Sequence, residues 1–271
     1  MSLSQPTSPA DMYEQYFVPA MFRPWADILV RYAAIQPGEQ VLDIACGTGI
    51  VARLVAPLVG SKGTVAALDF NPAMLSVAQS IGAPAGALIE WHDGSAMSLP
   101  YADQSFDVAL CQHGLQFFPD KIVAMREMNR VLKPTGRTYI IVLQELKKHP
   151  VFEALMLSVA RLLMLPVTAV TIPFSLSDER QLETMAKDAG FSTVDIIQDS
   201  AVMTFPDAAQ FVPLAIMSSA AAVPAFMQLQ GPAKAELIET VRKEVEPTVA
   251  AYRSEDRVSF PMYAHIISAR P

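Results

Sequence analysis

Residues 41–49 read Val-Leu-Asp-Ile-Ala-Cys-Gly-Thr-Gly. A short apolar run ends on an acid and enters a glycine loop. Val41, Leu42 and Ile44 suit a strand buried on both faces of a parallel sheet. Gly47 and Gly49 permit backbone angles and a close ligand approach that a Cβ would block. Ile50 to Ala56 reads as the helix that follows, so the loop lies at a helix N-terminus. Strand, tight turn and helix form the ligand-binding corner of a doubly wound α/β domain.

The loop also discriminates between ligands. A dinucleotide fingerprint, G-x-G-x-x-G, leaves the turn free for a pyrophosphate. Here Asp43 precedes the turn, where it would repel one. A second predicted strand, Gly63–Asp69, ends on another acid. A carboxylate at the end of strand two is placed to accept both ribose hydroxyl protons. Asn71-Pro72 reads as the N-cap and first residue of a helix, with Met74 on its first turn. A third segment is Ile89-Glu-Trp-His-Asp-Gly-Ser-Ala96. A fourth strand, Phe106–Leu110, leads into Cys111-Gln-His-Gly114 at the carboxyl edge of the sheet. Arg126–Arg137 closes a helix and launches a fifth strand, Thr138–Leu143.

Asp43-x-Ala45-x-Gly47-x-Gly49 resembles motif I of the class I S-adenosylmethionine (SAM) methyltransferases, D/E-x-G/A-x-G-x-G. Lys133-Pro-Thr-Gly136 resembles the family's K-P-G-G turn, with Thr135 replacing one glycine. The resemblance covers residues 37–143. It is closest to the small-molecule branch of the ubiquinone/menaquinone-biosynthesis C-methyltransferase type. It implies SAM as cofactor and S-adenosylhomocysteine as product. Carried over residue by residue, the implied cofactor set is Asp43, Ala45, Cys46, Gly47, Gly49, Asp69, Phe70, Met74, Asp93, Gly94, Ser95, Ala96 and Gln112. The family's G-D-A adenine segment is Gly94-Ser95-Ala96 here, so the adenine contact is open between Asp93 and Ser95. The expected fold is a Rossmann-like sheet of seven strands, the last antiparallel and inserted beside strand five, with helical cap insertions.

The expected organisation is an N-terminal helical lid (1–36), a SAM-binding core (37–144), a cap insertion (145–176), a return to the core (177–205), a second cap (206–256) and a final strand (257–271). The lid reads as two helices broken by prolines, and Tyr13, Tyr16, Phe17, Phe22 and Trp25 crowd it. Tyr13, Tyr16, Phe17 and Trp25, with Gln116 and Phe117, are the candidate acceptor pocket. His113 is the candidate general base, with a packed or helix-capping histidine as the plain alternative. Strand six is expected over Thr193–Phe205 and the final strand over Val258–Ala269.

Net charge is −7, and no Lys/Arg-rich run offers a phosphate-binding patch, which argues against nucleic acid. Residues 208–233 carry no charge, but Pro213, Pro224 and many small residues make them a poor membrane span. Four scattered histidines and two cysteines give no metal-ligand spacing. Cys46 and Cys111 read as packed thiols, and with no secretory signal in view the cytoplasm is the expected compartment. The expected chemistry is methyl transfer to a small, apolar O, C or S acceptor, with an apolar cap face that also suits a homodimer. The alternatives are a SAM-using cyclase or decarboxylase, or a non-enzymatic SAM-binding protein.

Overall fold

The computed structural model describes residues 8–82, 84–219 and 223–271 of the 271-residue chain. Five parallel strands come first: β1 (Gln40–Ile44), β2 (Thr64–Asp69), β3 (Ile89–Asp93), β4 (Phe106–Gln112) and β5 (Leu132–Leu143). β6 (Thr193–Phe205), a two-residue β7 (Arg253–Ser254) and β8 (Arg257–Arg270) complete the sheet. Its order is β3-β2-β1-β4-β5-β8-β6, with β7 paired to β8. β8 runs antiparallel between β5 and β6; its antiparallel place beside β5 is the one the family resemblance implies. The order reverses between β1 and β4, so the crevice at their carboxyl ends is the place where this fold binds ligands.

Burial explains the central strands. Val41, Leu42 and Ile44 are fully buried, because helices cover both faces. On one face lie α2 (Arg23–Ala33) and α3 (Ile50–Val59); on the other lie α5 (Lys121–Val131) and α7 (Glu179–Asp188). β6 is the edge strand and alternates buried with exposed residues, leaving Val202 in solvent. The predicted turn at 133–136 is a register shift where β5 joins β4, so Phe106 faces Leu132 while Val108 faces Arg137.

The N-terminal segment is continuous instead of broken. Ser8 caps α1 (Pro9–Met12), a π-helix spans Tyr13–Phe22, and α2 follows directly. Pro19 lies inside the π-helix. Proline costs an α-helix its i→i−4 bond and a clash; the wider π turn accommodates it.

Most of the apolar residues described in the uncharged stretch, among them Phe211, Val212, Ala215, Ile216 and Phe226, are buried in the core. Helices α6 (Pro150–Leu162), α8 (Ala208–Ser219) and α10 (Gly231–Ala250) share one apolar cluster, with the short α9 (Pro224–Met227) between the last two. Along α10, Leu237, Val241, Val245 and Val249 repeat every four residues and are buried, the spacing of one helix face. Beneath lie aromatic rings: Phe205 to Phe211 at 4.8 Å, Phe211 to Phe260 at 5.5 Å and Phe152 to Phe260 at 5.8 Å. No helix among the described residues is long and apolar enough to cross a membrane.

Phe211 is fully buried at the centre of this cluster. Phe211→Ala is expected to cost about 3–5 kcal/mol in unfolding free energy through the cavity it leaves. Denaturant unfolding followed by circular dichroism measures this.

Candidate functional site

Three left-handed residues shape the turn between β1 and α3: Ala45 (φ 56°), Gly47 (φ 56°) and Gly49 (φ 85°). The turn is tied down on both sides. Cys46 N–H donates to the Leu68 carbonyl of β2 (3.0 Å), and Gly49 N–H closes back on the Cys46 carbonyl (2.8 Å). A Cβ on Gly49 would lie 2.2 Å from the Trp91 indole. Gly49 is therefore required twice, by its backbone angle and by the tryptophan of β3 packed against it.

Asp43 sits under the turn, 1% exposed. Its Oδ2 accepts the Ala52 N–H of α3 (3.0 Å). That helix has no side-chain cap of its own, so the strand acid satisfies one of its free donors. Burial pushes the Asp43 carboxyl up to about 7, and the nearby Asp69 charge adds to this; the Ala52 hydrogen bond opposes it.

Asp69 joins the two loops of the crevice. One carboxylate oxygen accepts Gly47 N–H (2.8 Å) and the other accepts Asn71 N–H (2.9 Å). Its carboxyl is also raised, chiefly by burial. Asn71 caps α4 (Pro72–Ser80) by accepting Ala73 N–H at 3.0 Å. Next to Asp69, Phe70 presents its ring to solvent at 79% exposure, and Met74 is half-buried on the first turn of α4. Asp93 is the register partner of Asp69, and Gly94 N–H donates to the Asp69 carbonyl (3.1 Å). Ser95 Oγ accepts Met97 N–H (3.2 Å), while Asp93 is exposed and Ala96 buried. These residues thus gather along the carboxyl ends of β1, β2 and β3.

At the end of β4, Gln112 Nε2 donates to the Phe22 carbonyl (2.9 Å), which anchors the N-terminal segment. His113 is left-handed (φ 53°). Its ring stands edge-on to Trp25 at 5.8 Å and to Phe22 at 6.1 Å. Burial drives its pKa down to about 3, so the imidazole is neutral at neutral pH. Gln116 is buried and donates to the His113 carbonyl (2.9 Å); Phe117 is half-exposed. Several buried polar atoms here have no hydrogen-bond partner: both His113 ring nitrogens, Gln112 Oε1, Gln116 Oε1, Trp25 Nε1 and Thr48 Oγ1. Unsatisfied buried groups are rare, and this group of them gathers around the crevice.

The N-terminal segment covers the turn. The Tyr13 hydroxyl lies 3.6 Å from where a Gly47 Cβ would stand, and its ring packs on Phe22 at 4.7 Å. Burial raises the Tyr13 phenol above its ordinary range. Tyr16 is partly buried, Phe17 packs edge-on to Phe205 at 6.3 Å, and Trp25 is fully buried on α2. Glu14 forms an ion pair with Arg53 of α3 at 2.8 Å, and Arg53 also donates to the Thr48 carbonyl. The sequence motifs do not point to Glu14, Arg53 or Trp91. Cys46 and Cys111 are both free and buried. Among the described residues, no group of three or more His, Cys, Asp or Glu is arranged to hold a metal ion.

The model of the ubiE/COQ5 methyltransferase family matches residues 8–169. The chain belongs to this family. Its matched region runs from α1 through the five parallel strands and past α6. The 2-phytyl-1,4-naphtoquinone methyltransferase of Synechococcus elongatus is 40% identical over 123 residues, 45% of this chain and 53% of that protein. This chain thus spans about half the length of that relative. The chloroplastic 2-phytyl-1,4-beta-naphthoquinone methyltransferase of Arabidopsis thaliana is 34% identical over 185 residues, 63% of this chain and 71% of that one. Among solved structures, phosphoethanolamine N-methyltransferase 2 of Haemonchus contortus, in complex with S-adenosyl-L-methionine, shares the fold. Its TM-score is 0.57 at 16% identity, covering 98% of this chain and 58% of that one.

Two outcomes follow for this family member. Gly49→Ala is expected to cost at least about 2 kcal/mol, from left-handed strain together with the indole clash. Thermal unfolding of Gly49→Ala and of Gly49→Ala/Trp91→Ala measures it, the second variant recovering the steric part. The pH dependence runs opposite to that of a salt-bridged acid. Because Asp43 binds its proton more tightly folded than unfolded, its contribution is full below about pH 4 and is lost as pH rises through about 7. Asp43→Asn should therefore show a shallower fall in stability between about pH 4 and 7 than the wild type.

Proposed function

We propose that this protein transfers a methyl group from SAM to a small, apolar acceptor at an O, C or S atom. The observation that carries the reading is the Asp69 carboxylate, which bridges Gly47 and Asn71 beside a left-handed turn. Two buried acids, Asp43 and Asp69, lie at the turn, a setting that favours a cationic nucleoside and disfavours a pyrophosphate. The buried atoms left without partners fit a group that brings its own donors and acceptors.

In this reading Asp69 holds the ribose hydroxyls. Phe70 and Met74 flank the adenine, with Asp93, Gly94, Ser95 and Ala96 along its edge. Ala45, Cys46, Gly47 and Gly49 supply the close backbone approach. When bound, SAM supplies an electrophilic methyl group on a sulfonium centre. The chain's task is then to orient the acceptor and exclude water. Tyr13, Tyr16, Phe17, Trp25 and Phe117 form the apolar wall, Gln116 orients the acceptor, and Gln112 lies on the cofactor side. His113, neutral and with free ring nitrogens, accepts a hydrogen bond from an acceptor hydroxyl; its low basicity suits positioning better than full proton removal.

Segments 145–176 and 206–256 act as caps over the acceptor in this proposal. The naphthoquinone substrates named for the relatives support an apolar ring as acceptor. Net charge −7 disfavours nucleic acid. Two free buried thiols fit a cytoplasmic compartment, and exposed Leu157 and Met164 fit a homodimer face.

The test is incubation with methyl-labelled SAM and a reduced 1,4-naphthoquinone, followed by mass spectrometry. The expected result is S-adenosylhomocysteine together with a methylated ring product. Methylthioadenosine in place of S-adenosylhomocysteine would contradict methyl transfer. Asp69→Ala should weaken S-adenosylhomocysteine binding by about 10- to 100-fold through loss of charged hydrogen bonds. Isothermal calorimetry checks this, and unchanged affinity would remove Asp69 from the ribose site.

A further inference from the structure

Glu14 and Arg53 face each other across the glycine turn. Glu14 stands on the π-helix and Arg53 on the first turn of α3, and their side chains meet at 2.8 Å with 24% and 14% exposure. Arg53 directs a second guanidinium N–H to the Thr48 carbonyl, inside the turn itself. This ion pair is therefore part of the turn's wall and not a bridge in open solvent.

Two features exceed what a latch requires. Glu14 accepts Arg53 through Oε1, while its Oε2 is buried with no hydrogen-bond partner. Thr48, 1% exposed, has its hydroxyl buried and equally without a partner. A desolvated carboxylate oxygen left unpaired costs free energy unless a donor reaches it. Arg53 meanwhile has five N–H donors in a rigid fork suited to carboxylates. A spare carboxylate oxygen, a spare hydroxyl and a guanidinium fork side by side complement a group that carries an ammonium and a carboxylate on one carbon.

We infer that Glu14 and Arg53 grip the amino-acid end of the cofactor, Glu14 taking its α-ammonium and Arg53 its α-carboxylate. The inference rests on the SAM reading of the crevice. It also gives the N-terminal segment a specific task. Tyr13 and Glu14 are adjacent on the π-helix, so placing Glu14 on the ammonium also places the Tyr13 ring over Gly47. Lid closure is then driven by a charge that the nucleoside part of the cofactor lacks.

The test compares two ligands, one with the amino-acid end and one without it: S-adenosylhomocysteine and 5′-methylthioadenosine. Calorimetry gives both dissociation constants for the wild type, Glu14→Gln and Arg53→Met. Glu14→Gln keeps the shape and an acceptor for Arg53. It is expected to weaken S-adenosylhomocysteine by about tenfold or more, the scale of a charge-assisted hydrogen bond, and to leave 5′-methylthioadenosine within about twofold. Arg53→Met should show the same selective loss. Because each variant is scored by the ratio of its two affinities, a general loss of lid or fold moves both ligands together. An unchanged ratio in both variants overturns the inference and leaves the SAM reading standing. A wild-type protein that binds neither ligand overturns both.

Discussion

The site depends on how one carboxylate is shared. Asp69 ends β2 and satisfies backbone donors from two loops, Gly47 of the first and Asn71 of the second. Without it, the Gly47 N–H of the left-handed turn and the Asn71 N–H ahead of α4 would each lose their partner. Each oxygen of that carboxylate keeps further acceptor capacity. The residue that builds the cleft is also the one we propose to hold the ribose. Asp43 works in the same double way, buried under the turn and capping α3 from the neighbouring strand.

The turn is closed from above by a segment of unusual geometry. A π-helix over Tyr13–Phe22 sets Tyr13 over Gly47 and Glu14 against Arg53, while Gln112 at the end of β4 holds the Phe22 carbonyl. Aromatic rings then surround His113 and keep it neutral. Polar atoms without partners gather beneath this segment, and beyond it the rings of Phe205, Phe211 and Phe260 pack together.

What the sequence discloses follows the range of the interaction. Gly47, Gly49, Asp69 and the Asn71 cap are legible because their roles depend on local backbone geometry and on the order strand, turn, helix. The antiparallel place of β8 beside β5 follows from the family resemblance, while its long pairing with β6 appears only in the structure. The continuity of the N-terminal helices was not legible. Two prolines read as breaks, yet the π turn absorbs Pro19 because tertiary packing beneath it repays the altered ladder. Trp91 against Gly49 and Glu14 against Arg53 are contacts between residues far apart in the chain, and no local pattern marks them. The uncharged run after residue 208 was legible as apolar, but its burial around Phe211 depends on β6 and β8 meeting beneath it.

The most direct measurement is a crystal structure of the protein soaked with S-adenosylhomocysteine. The ligand is expected in the crevice at the carboxyl ends of β1 and β2, with its ribose hydroxyls on Asp69. An empty crevice, or a phosphorylated cofactor bound there instead, would contradict it.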